Sequence, residues 1–426
     1  MNVTIIGGGL AGCECAYTLA ENGINVTLYE MKPLKKSPAH HSDNLCELVC
    51  SNSLRGDRLE NAAGLLKAEM RLLNSLIIKA ADATRVAAGG ALAVDRLKFE
   101  RYVTESITAH PLIKVVSGEV TSIPDSRPLV IATGPLTSDS LSTDIQKLVG
   151  DEFLSFYDAA APILSSDSID MEYAYAGDRY GKGSGDYINC PMDKETYTSF
   201  RRELANAEEA HVHGFEDSKV FEGCMPVEVL ARRGEDTLRF GPLKPIGLRD
   251  PRTDKGSYAV VQLRRDDAEG AMLNIVGFQT HLTFGEQRRV FTMIPALRNA
   301  EFLRYGVMHR NTFINSPKLL TPEYMLKTQS DVYFAGQITG VEGYTESAAS
   351  GLTAALAIIR GEPLNLPPET ALGALSRHIS ASASKDFQPM NINFGIIPKL
   401  DETIKDKSER CRKTSERALK MLNEWL

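Results

Sequence analysis

The chain opens with Asn2-Val-Thr-Ile-Ile-Gly-Gly-Gly-Leu-Ala-Gly-Cys13, and this stretch decides the fold. Val3 to Ile6 predicts a short buried strand, the glycines predict a tight turn, and Leu10 to Asn22 predicts a helix. Asn25 to Tyr29 predicts a second strand that closes with Glu30. Together these elements predict a βαβ unit that binds a dinucleotide.

The glycines of this turn have separate tasks in such a unit. Gly7 permits the sharp turn, Gly9 lets backbone N–H groups approach a pyrophosphate, and Gly12 allows the helix to pack close to the strand. The diphosphate then lies at the positive end of the helix, and a terminal carboxylate accepts hydrogen bonds from the adenosine ribose. The predicted site residues here are Gly7, Gly8, Gly9, Leu10, Ala11, Gly12, Glu30 and Lys32.

The composition is that of an ordinary soluble protein. The 426 residues suffice for two or three domains, with 43% apolar and 24% charged residues. No basic leader precedes the first strand and no apolar run is long enough to cross a bilayer, so we expect a cytoplasmic protein without a membrane anchor. Seven cysteines without C-x-x-C pairs predict reduced thiols and no metal site.

The charge pattern leaves two interpretations open. The formal net charge of −7 does not favour nucleic-acid binding. Between Arg232 and Arg265, however, nine basic side chains stand against four acidic ones. This stretch is either a basic face for nucleic acid or a solvated surface of mixed charge.

Two later motifs favour FAD over a nicotinamide dinucleotide as the bound cofactor. Leu129-Val-Ile-Ala-Thr-Gly134 is an apolar strand that ends in Ala-Thr-Gly, a second signature of flavoproteins with two dinucleotide-binding domains. Asp331-Val-Tyr-Phe-Ala-Gly-Gln337 is the final strand, and a helix of small residues follows Gly343. The N-terminus of that helix is expected to face the flavin and stabilise its reduced anion. Gly134, Gly336, Gln337 and Gly343 therefore join the predicted FAD site.

These motifs predict an α/β fold, a Rossmann-like flavoprotein with two dinucleotide-binding domains. Residues 1–150 and 315–426 form the discontinuous FAD-binding domain. Residues 151–314, with shorter segments and more turns, predict an inserted α+β domain for the substrate or for RNA. The tail 400–426 predicts an amphipathic helix, either a docking helix or a cationic surface that faces RNA.

Two cysteines stand in settings that suit chemistry. Cys50 precedes Ser51-Asn52-Ser53, residues that favour caps and turns, where helix-terminal N–H groups would lower a thiol pKa. The alternative is a small buried cysteine before a helix with apolar positions from Ala62 to Ala80. Cys224 lies between a glycine and an X-Pro step, which predicts a turn near a cleft. Cys13 and Cys15, on the first helix, are predicted to be packing residues.

Long motifs in this chain resemble one family. GGGLAG, ELVCSNSLRG, FEGCMPVEVLARRG, FAGQITGVEGYTESAASGL and PMNINFG are similar to those of the folate- and FAD-dependent tRNA (uracil-5-)-methyltransferases, the TrmFO family. The resemblance covers essentially the whole chain. The block around Gly336 is also similar to the glucose-inhibited-division-type modifier of the tRNA wobble uridine. Cys13, Cys15 and Gly56-Asp57 depart from the family pattern, outside both cysteine motifs.

The resemblance implies methylation of carbon 5 of the T-loop uridine of tRNA, with a large-subunit rRNA uridine as the alternative. Reduced FAD would carry the methylene group of 5,10-methylenetetrahydrofolate to uracil, and NADPH or NADH would restore the reduced flavin. Cys50 and Cys224 match the two catalytic cysteines of the family. We assign Cys50 as the nucleophile and Cys224 as the base, and the reverse assignment stays open. The sequence leaves both monomer and homodimer open.

Two rival functions remain on the residues alone. A flavin-dependent thiol or NAD(P)H oxidoreductase would use Cys50 and Cys224 as a redox pair and would not bind RNA. A non-catalytic FAD-containing scaffold would bind RNA without turnover. The basic stretch weakly disfavours the oxidoreductase, and the family resemblance disfavours both.

Overall fold

The structure is a computed structural model. It describes residues 1–37, 39–150, 153–159, 161–181, 185–210, 225–306, 308–381 and 387–426. Cys224 lies outside these residues.

The described chain alternates between strands and helices. The strands are β1 (Asn2–Ile6), β2 (Asn25–Glu30), β3 (Ser53–Gly56), β4 (Arg85–Val86), β5 (Ala91–Val94), β6 (Ile113–Ser117), β7 (Leu129–Ile131), β8 (Phe153–Ala159), β9 (Ile163–Ser165), β10 (Tyr175–Ala176), β11 (Tyr187–Met192), β12 (Ala259–Arg265), β13 (Met272–Ile275), β14 (Phe302–Arg304), β15 (Met308–Ile314), β16 (Met325–Leu326) and β17 (Gln329–Phe334). The α-helices are α1 (Leu10–Glu21), α2 (Ala62–Leu72), α3 (Leu76–Ala83), α4 (Arg96–Thr108), α5 (Asp139–Val149), α6 (Lys194–Asn206), α7 (Val227–Arg233), α8 (Thr237–Phe240), α9 (Phe284–Phe291), α10 (Ser316–Leu319), α11 (Tyr344–Arg360), α12 (Ala371–Ala381) and α13 (Lys407–Trp425).

The main sheet confirms the predicted βαβ unit. Its six strands run in the order β16-β17-β7-β1-β2-β6, and every neighbouring pair is parallel except β16 with β17. Strand β1 lies between β7 and β2, and its residues Val3, Ile5 and Ile6 are buried. A strand that is buried on both faces suits a doubly wound α/β fold. Helix α1 ends at Glu21, one residue before the predicted end.

Two glycines allow close backbone packing. One lets α1 approach the turn after β1, and the other lets α11 approach α1. A Cβ atom on Gly12 would lie 1.8 Å from the carbonyl oxygen of Gly7, so only glycine lets α1 approach the first turn. A Cβ atom on Gly351 would lie 2.1 Å from the carbonyl oxygen of Ala11, so α11 rests directly on the backbone of α1. This packing brings the N-termini of both helices to the same edge of the sheet.

The second part of the molecule is built on an antiparallel sheet. Its strand order is β10-β11-β12-β13-β9-β14, and α6, α7 and α9 supply further residues to its core, including Phe200 and Phe291. One apolar core draws on residues 3–149 and 314–418, and another draws on residues 164–300. These two cores support the predicted domain boundaries, which stay a prediction.

The predicted helix from Ala62 to Ala80 is wrong in one respect, because two helices occupy this range. Asn74 between them has a φ of +64°, which no α-helix tolerates, and the Ser75 side chain caps α3 by accepting a hydrogen bond from Ile78 N–H. The buried Glu14 carboxylate on α1 accepts from Leu76 N–H and Ile77 N–H. The helical period of apolar residues continues across this break, so the sequence pattern did not reveal the break.

The C-terminal helix is docked on the first domain core. Within the predicted range 400–426, α13 starts at Lys407, where Asp406 caps it by accepting from Glu409 N–H. Its Ser415 donates to the carbonyl oxygen of Leu59, and Trp425 Nε1 donates to that of Leu364. None of the helices in the described part of the chain is long and apolar enough to span a membrane.

Candidate active site

A cleft opens where the parallel strands end. Residues at or just after the carboxyl ends of five strands line it, at Ile6, Glu30, Gly118, Ala132 and Gly336. Its empty volume, including the part open to solvent, is about 1080 Å³. Ligands of open α/β sheets bind at this edge.

The cleft gathers most of the predicted cofactor residues. Ten of them belong to its wall: Gly7, Gly8, Gly9, Leu10, Ala11, Glu30, Lys32, Gly134, Gly336 and Gln337. Gly12 and Gly343 adjoin the wall along the chain and are not part of it. Gly343 has a φ of +110°, which a side chain would strain, and directly precedes α11.

The N-terminus of α1 is suited to an anionic group. The first N–H groups of a helix have no acceptor within the helix. Helix α1 is described throughout and has neither a side-chain cap nor an acidic residue in its first turn. A Cβ atom at Gly9 would have no described heavy atom within 4 Å, so the backbone there is open to the cleft. These features fit the diphosphate of a dinucleotide such as FAD.

Glu30 is held in place at the cleft wall by backbone groups. Its Oε2 accepts from Gly8 N–H at 2.7 Å, and its Oε1 accepts from Lys32 N–H at 2.9 Å. A carboxylate oxygen accepts more than one hydrogen bond, so both oxygens keep capacity for a ribose diol. The Lys32 side chain is buried, donates to the carbonyl oxygen of Asn44 and lies 3.6 Å from Glu47 Oε2. Lys32 thus stabilises the cleft wall.

The opposite wall comes from the last strand and α11. Gly336 has a φ of +86°, and its N–H donates to Ser350 Oγ at 2.6 Å. Gln337 Nε2 donates to Glu342 Oε2 at 2.5 Å. Tyr344 and Ser347, in the first turn of α11, line the cleft. The positive end of the α11 dipole therefore faces the cleft.

Cys50 stands next to this wall on a loop that Tyr344 and Arg96 hold. The N–H groups of Cys50 and Ser51 donate to the Tyr344 hydroxyl at 2.8 and 3.1 Å. Burial raises the pKa of Tyr344, so the phenol stays neutral. Arg96 donates to the carbonyl oxygens of Leu48 and Cys50, and its Nε donates to Asp266 Oδ2 at 2.7 Å.

Asn52 and Arg264 tie the same loop to the second part of the molecule. The buried Asn52 side chain donates to the carbonyl oxygens of Val94 and Arg265, each at 2.9 Å. Arg264 Nε donates to Asn52 Oδ1 at 3.1 Å, and its Nη2 donates to Ser51 Oγ at 2.7 Å. The loop therefore depends on both cores.

The expected source of thiol activation at Cys50 is wrong. Ser51-Asn52-Ser53 leads into strand β3, so no helix terminus faces the thiol from this segment. Among the described residues, the guanidinium groups of Arg96 and Arg304 interact electrostatically with Cys50. Positive charge of this kind favours a thiolate.

Sequence reasoning missed the roles of Arg96, Arg264, Asp266 and Tyr344, because these residues lie far from Cys50 along the chain. Arg264 was visible only as part of the basic stretch, where it turns out to be buried. Three other arginines of that stretch pair with carboxylates, in Arg239–Asp236, Arg249–Asp254 and Arg252–Asp250. The stretch is thus partly structural and partly a mixed-charge surface.

The remaining cysteines in the described part of the chain are buried. Cys13 and Cys15 are fully buried on α1, which confirms them as packing residues. Burial raises the pKa of Cys190 to about 12, so that thiol is inert near neutral pH. Cys224 itself lies outside the described residues, and Pro226, two residues later, occupies the N-cap position of α7. Among the described residues, no group of three His, Cys, Asp or Glu side chains is placed to hold a metal ion.

Known proteins are similar to this chain in both sequence and fold. The family model described as "Glucose inhibited division protein A" matches residues 2–362. The methylenetetrahydrofolate–tRNA-(uracil-5-)-methyltransferase TrmFO of Listeria innocua serovar 6a is 56% identical over 422 residues, 98% of this chain and 97% of its own. The TrmFO of Acetivibrio thermocellus is 58% identical over 428 residues, 100% of this chain and 98% of its own.

The solved structure of Aquifex aeolicus GidA in the form II crystal shares the fold, with a TM-score of 0.71 at 16% identity. The match covers 100% of this chain and 73% of that one. The α/β flavoprotein class predicted from the sequence is thereby confirmed. Near-full-length relatives at more than half identity also confirm the resemblance seen in the motifs, and the chain belongs to the glucose inhibited division protein A family and, within that similarity, to the TrmFO methyltransferases.

Proposed function

We propose that this chain methylates carbon 5 of a uridine in tRNA and takes the one-carbon unit from methylenetetrahydrofolate. The observation that carries the proposal is identity of 56–58% to TrmFO enzymes over at least 98% of the chain. The cleft beside Cys50 supports it, because a cofactor site and a thiol lie at one sheet edge.

The residues of the cleft fit FAD. The N-terminus of α1 would hold the diphosphate, Glu30 the adenosine ribose, and Gln337 with the N-terminus of α11 the flavin half. FAD bound there would supply the redox-active ring that carries the methylene group and the reducing equivalents from NADPH or NADH. The nicotinamide donor, the cytoplasmic location and the oligomeric state stay predictions.

The two cysteines supply the chemistry that uracil needs. Carbon 5 of uracil becomes nucleophilic when a thiolate adds to carbon 6, because the new C–S bond pushes an electron pair towards carbon 5 as an enolate. After carbon 5 has gained the one-carbon unit, a base removes its proton, and the thiolate leaves as the C–S bond breaks. We assign the addition to Cys50 and the proton removal to Cys224, the second cysteine of the family motifs.

The surroundings of Cys50 suit a nucleophile. Tyr344 and Arg96 hydrogen-bond to the backbone of Cys50, and Asn52 anchors the following residue, so the loop that carries the thiol is fixed. The guanidinium groups of Arg96 and Arg304 interact electrostatically with Cys50, and positive charge near a cysteine is the setting in which thiols become nucleophilic. Rigid positioning and charge stabilisation are the two properties that an attacking thiolate requires.

The direct test uses purified protein, methylenetetrahydrofolate, NADPH and either tRNA or large-subunit rRNA. Nucleosides are analysed by mass spectrometry for wild type, Cys50→Ala and Cys224→Ala. We expect 5-methyluridine in tRNA with the wild type and none with either variant. Methylation of the rRNA alone would show that rRNA, and not tRNA, is the substrate. NADPH oxidation by FAD-loaded protein without methylation of either RNA would contradict the proposal and favour the oxidoreductase.

A further inference from the structure

Three aromatic rings form a ladder on the second part of the molecule. Phe284 and Tyr305 stack with ring centroids 4.7 Å apart and planes 15° apart. Tyr305 and Phe302 stack at 5.1 Å and 9°. We call Phe284, Tyr305 and Phe302 the ring ladder.

The ladder is anchored at one end and open at the other. Phe302 is half-buried and packs against the core of the second part, and Tyr305 is also half-buried. Phe284 is 54% exposed and stands at the first position of α9. A Cβ atom on the neighbouring Gly285 would have no described heavy atom within 4 Å, so the backbone beside Phe284 is also open. The ladder thus presents an aromatic surface to a partner.

Arg304 connects the ladder electrostatically with the surroundings of Cys50. This residue lies between Phe302 and Tyr305 in the chain, at the end of β14. Its Nη2 is buried and has no hydrogen-bond partner among the described residues. Burial and the nearby Arg96 lower the pKa of Arg304, while Asp266, Tyr344 and Cys50 act in the opposite direction. Arg304 therefore interacts electrostatically with groups around Cys50, and the aromatic residues Phe302 and Tyr305 that flank it along the chain belong to the ladder.

The charge around the open end complements a phosphate backbone. Arg288 lies four residues after Phe284, on the same face of α9, and is exposed. Arg289 beside it is already paired with Glu286 and Glu203, each at 2.7 Å. An exposed ring next to an exposed guanidinium is the combination with which proteins bind unpaired nucleotides.

We propose that the ring ladder is a stacking platform for an unpaired base of the RNA substrate, with Arg288 bound to an adjoining phosphate. An enzyme that acts on a base must take it out of its stack, and the neighbouring base then loses a stacking partner. The exposed face of Phe284 replaces that partner next to the cleft in which the target uridine reacts. This inference rests on the proposed function, because it requires an RNA substrate.

The test compares Phe284→Ala and Phe284→Trp in the full-length, FAD-loaded protein. The Kd for tRNA, the KM and kcat of methylation, and the rate of flavin reduction by NADPH are measured. Loss of one base–aromatic stack is expected to weaken tRNA binding and raise the KM for tRNA roughly 5- to 150-fold. Flavin reduction is expected to stay unchanged. Phe284→Trp is expected to bind tRNA at least as well as the wild type, because it keeps a stacking ring.

Tyr173→Ala is the matched control. Tyr173 is also an exposed aromatic of the second part, at 42%, but Arg298 already lies over its ring at 4.2 Å from the centroid. We expect no change in tRNA binding. A Phe284→Ala protein with the thermal stability and the tRNA Kd of the wild type would overturn the platform, as would a change in the KM for the folate alone. If the wild type methylates tRNA, either of these two results contradicts the platform alone and leaves the proposed function intact. A wild type that methylates no RNA would contradict the proposed function itself.

Discussion

At the scale of single residues, Cys50 depends on side chains that come from distant parts of the chain. Asn52, two residues after Cys50, links the loop to such distant residues with two donated hydrogen bonds and one accepted from Arg264. The bonds to Val94 and Arg264 are buried and the bond to Arg265 is partly buried, and an unpaired polar group in the interior is costly.

Asn52→Ala is therefore expected to destabilise the protein and to disturb the Cys50 loop. Leaving buried carbonyl groups unsatisfied costs about 1–3 kcal/mol of unfolding free energy. The kcat for methylation is expected to fall more than the KM for tRNA rises, because the loop positions the thiol. Urea unfolding and steady-state kinetics measure both effects.

The control is Asn206→Ala, which removes an exposed bond from Asn206 to the carbonyl oxygen of Arg202. This variant is expected to match the wild type in both measurements. A fully active Asn52→Ala protein would show that the Cys50 loop does not need the hydrogen bonds of Asn52.

The sequence was informative for residues within motifs and uninformative for their distant partners. Gly7, Gly12 and Glu30 were predicted because their tasks follow from spacing within one βαβ unit. Tyr344 contacts Cys50 and Arg264 contacts the adjacent Ser51 across more than 200 positions of the chain, and no local pattern encodes such contacts. Cys224 was assigned from its motif alone, and its role stays a prediction.

At the scale of elements, buried carboxylates hold helix N-termini in place. Glu69 on α2 accepts from the N–H groups of Ala371 and Leu372, at 2.7 and 2.9 Å, at the start of α12. Glu14 does the same for α3. Each carboxylate thus joins two helices that are far apart in the sequence.

Glu69 makes stability depend on pH. Burial raises its pKa from 4.5 to about 8, so the folded state holds the proton more tightly than the unfolded state. Its contribution is fully present below pH 4.5 and is lost as the pH rises to about 8. The unfolding free energy is therefore expected to fall across this window, by an amount on the order of a few kcal/mol.

Glu69→Gln removes this titration, so urea unfolding at pH 5 and pH 8 is expected to differ less in the variant than in the wild type. Some dependence remains, because burial also raises the pKa of Glu14 to about 7. Glu416→Gln, at an exposed pair with Arg412, should keep the slope of the wild type. An unchanged slope in Glu69→Gln would contradict the assignment.

Element types were predicted well where one period dominated, as in β1, α1 and α13. The break between α2 and α3 was missed, because it depends on a positive φ at Asn74 and on a carboxylate from α1. Tertiary contacts of this kind override a continuous apolar period.

At the scale of the whole molecule, one turn joins the two cores. Arg96 on α4 pairs with Asp266 after β12, and both side chains are buried. Lys98 on the same helix pairs with Glu269 of the same turn, and both side chains are exposed. The two pairs bridge the same elements and differ mainly in burial.

Asp266→Asn is expected to cost about 3–5 kcal/mol of unfolding free energy, because it leaves the buried Arg96 charge without its partner. Glu269→Gln is expected to cause no measurable change, because water and salt screen the exposed pair. Thermal unfolding of both variants makes the comparison. Equal losses would show that burial does not decide the strength of this junction.

The discontinuous FAD-binding domain was inferred because the cofactor motifs lie at both ends of the chain, and its boundaries stay a prediction. The junction between the two cores could not be predicted, because the contacts of its side chains depend on how the two cores pack against each other. The basic stretch was ambiguous for the same reason, because burial of Arg264 is a property of the folded molecule.

The most direct measurement of the central claim follows the one-carbon unit itself. Purified protein is incubated with tRNA, NADPH and methylenetetrahydrofolate deuterated in its methylene group, and the nucleosides are analysed by mass spectrometry. We predict 5-methyluridine whose methyl group carries the deuterium, and none when the folate is left out. Unlabelled 5-methyluridine, or no 5-methyluridine from FAD-loaded protein, would contradict the claim.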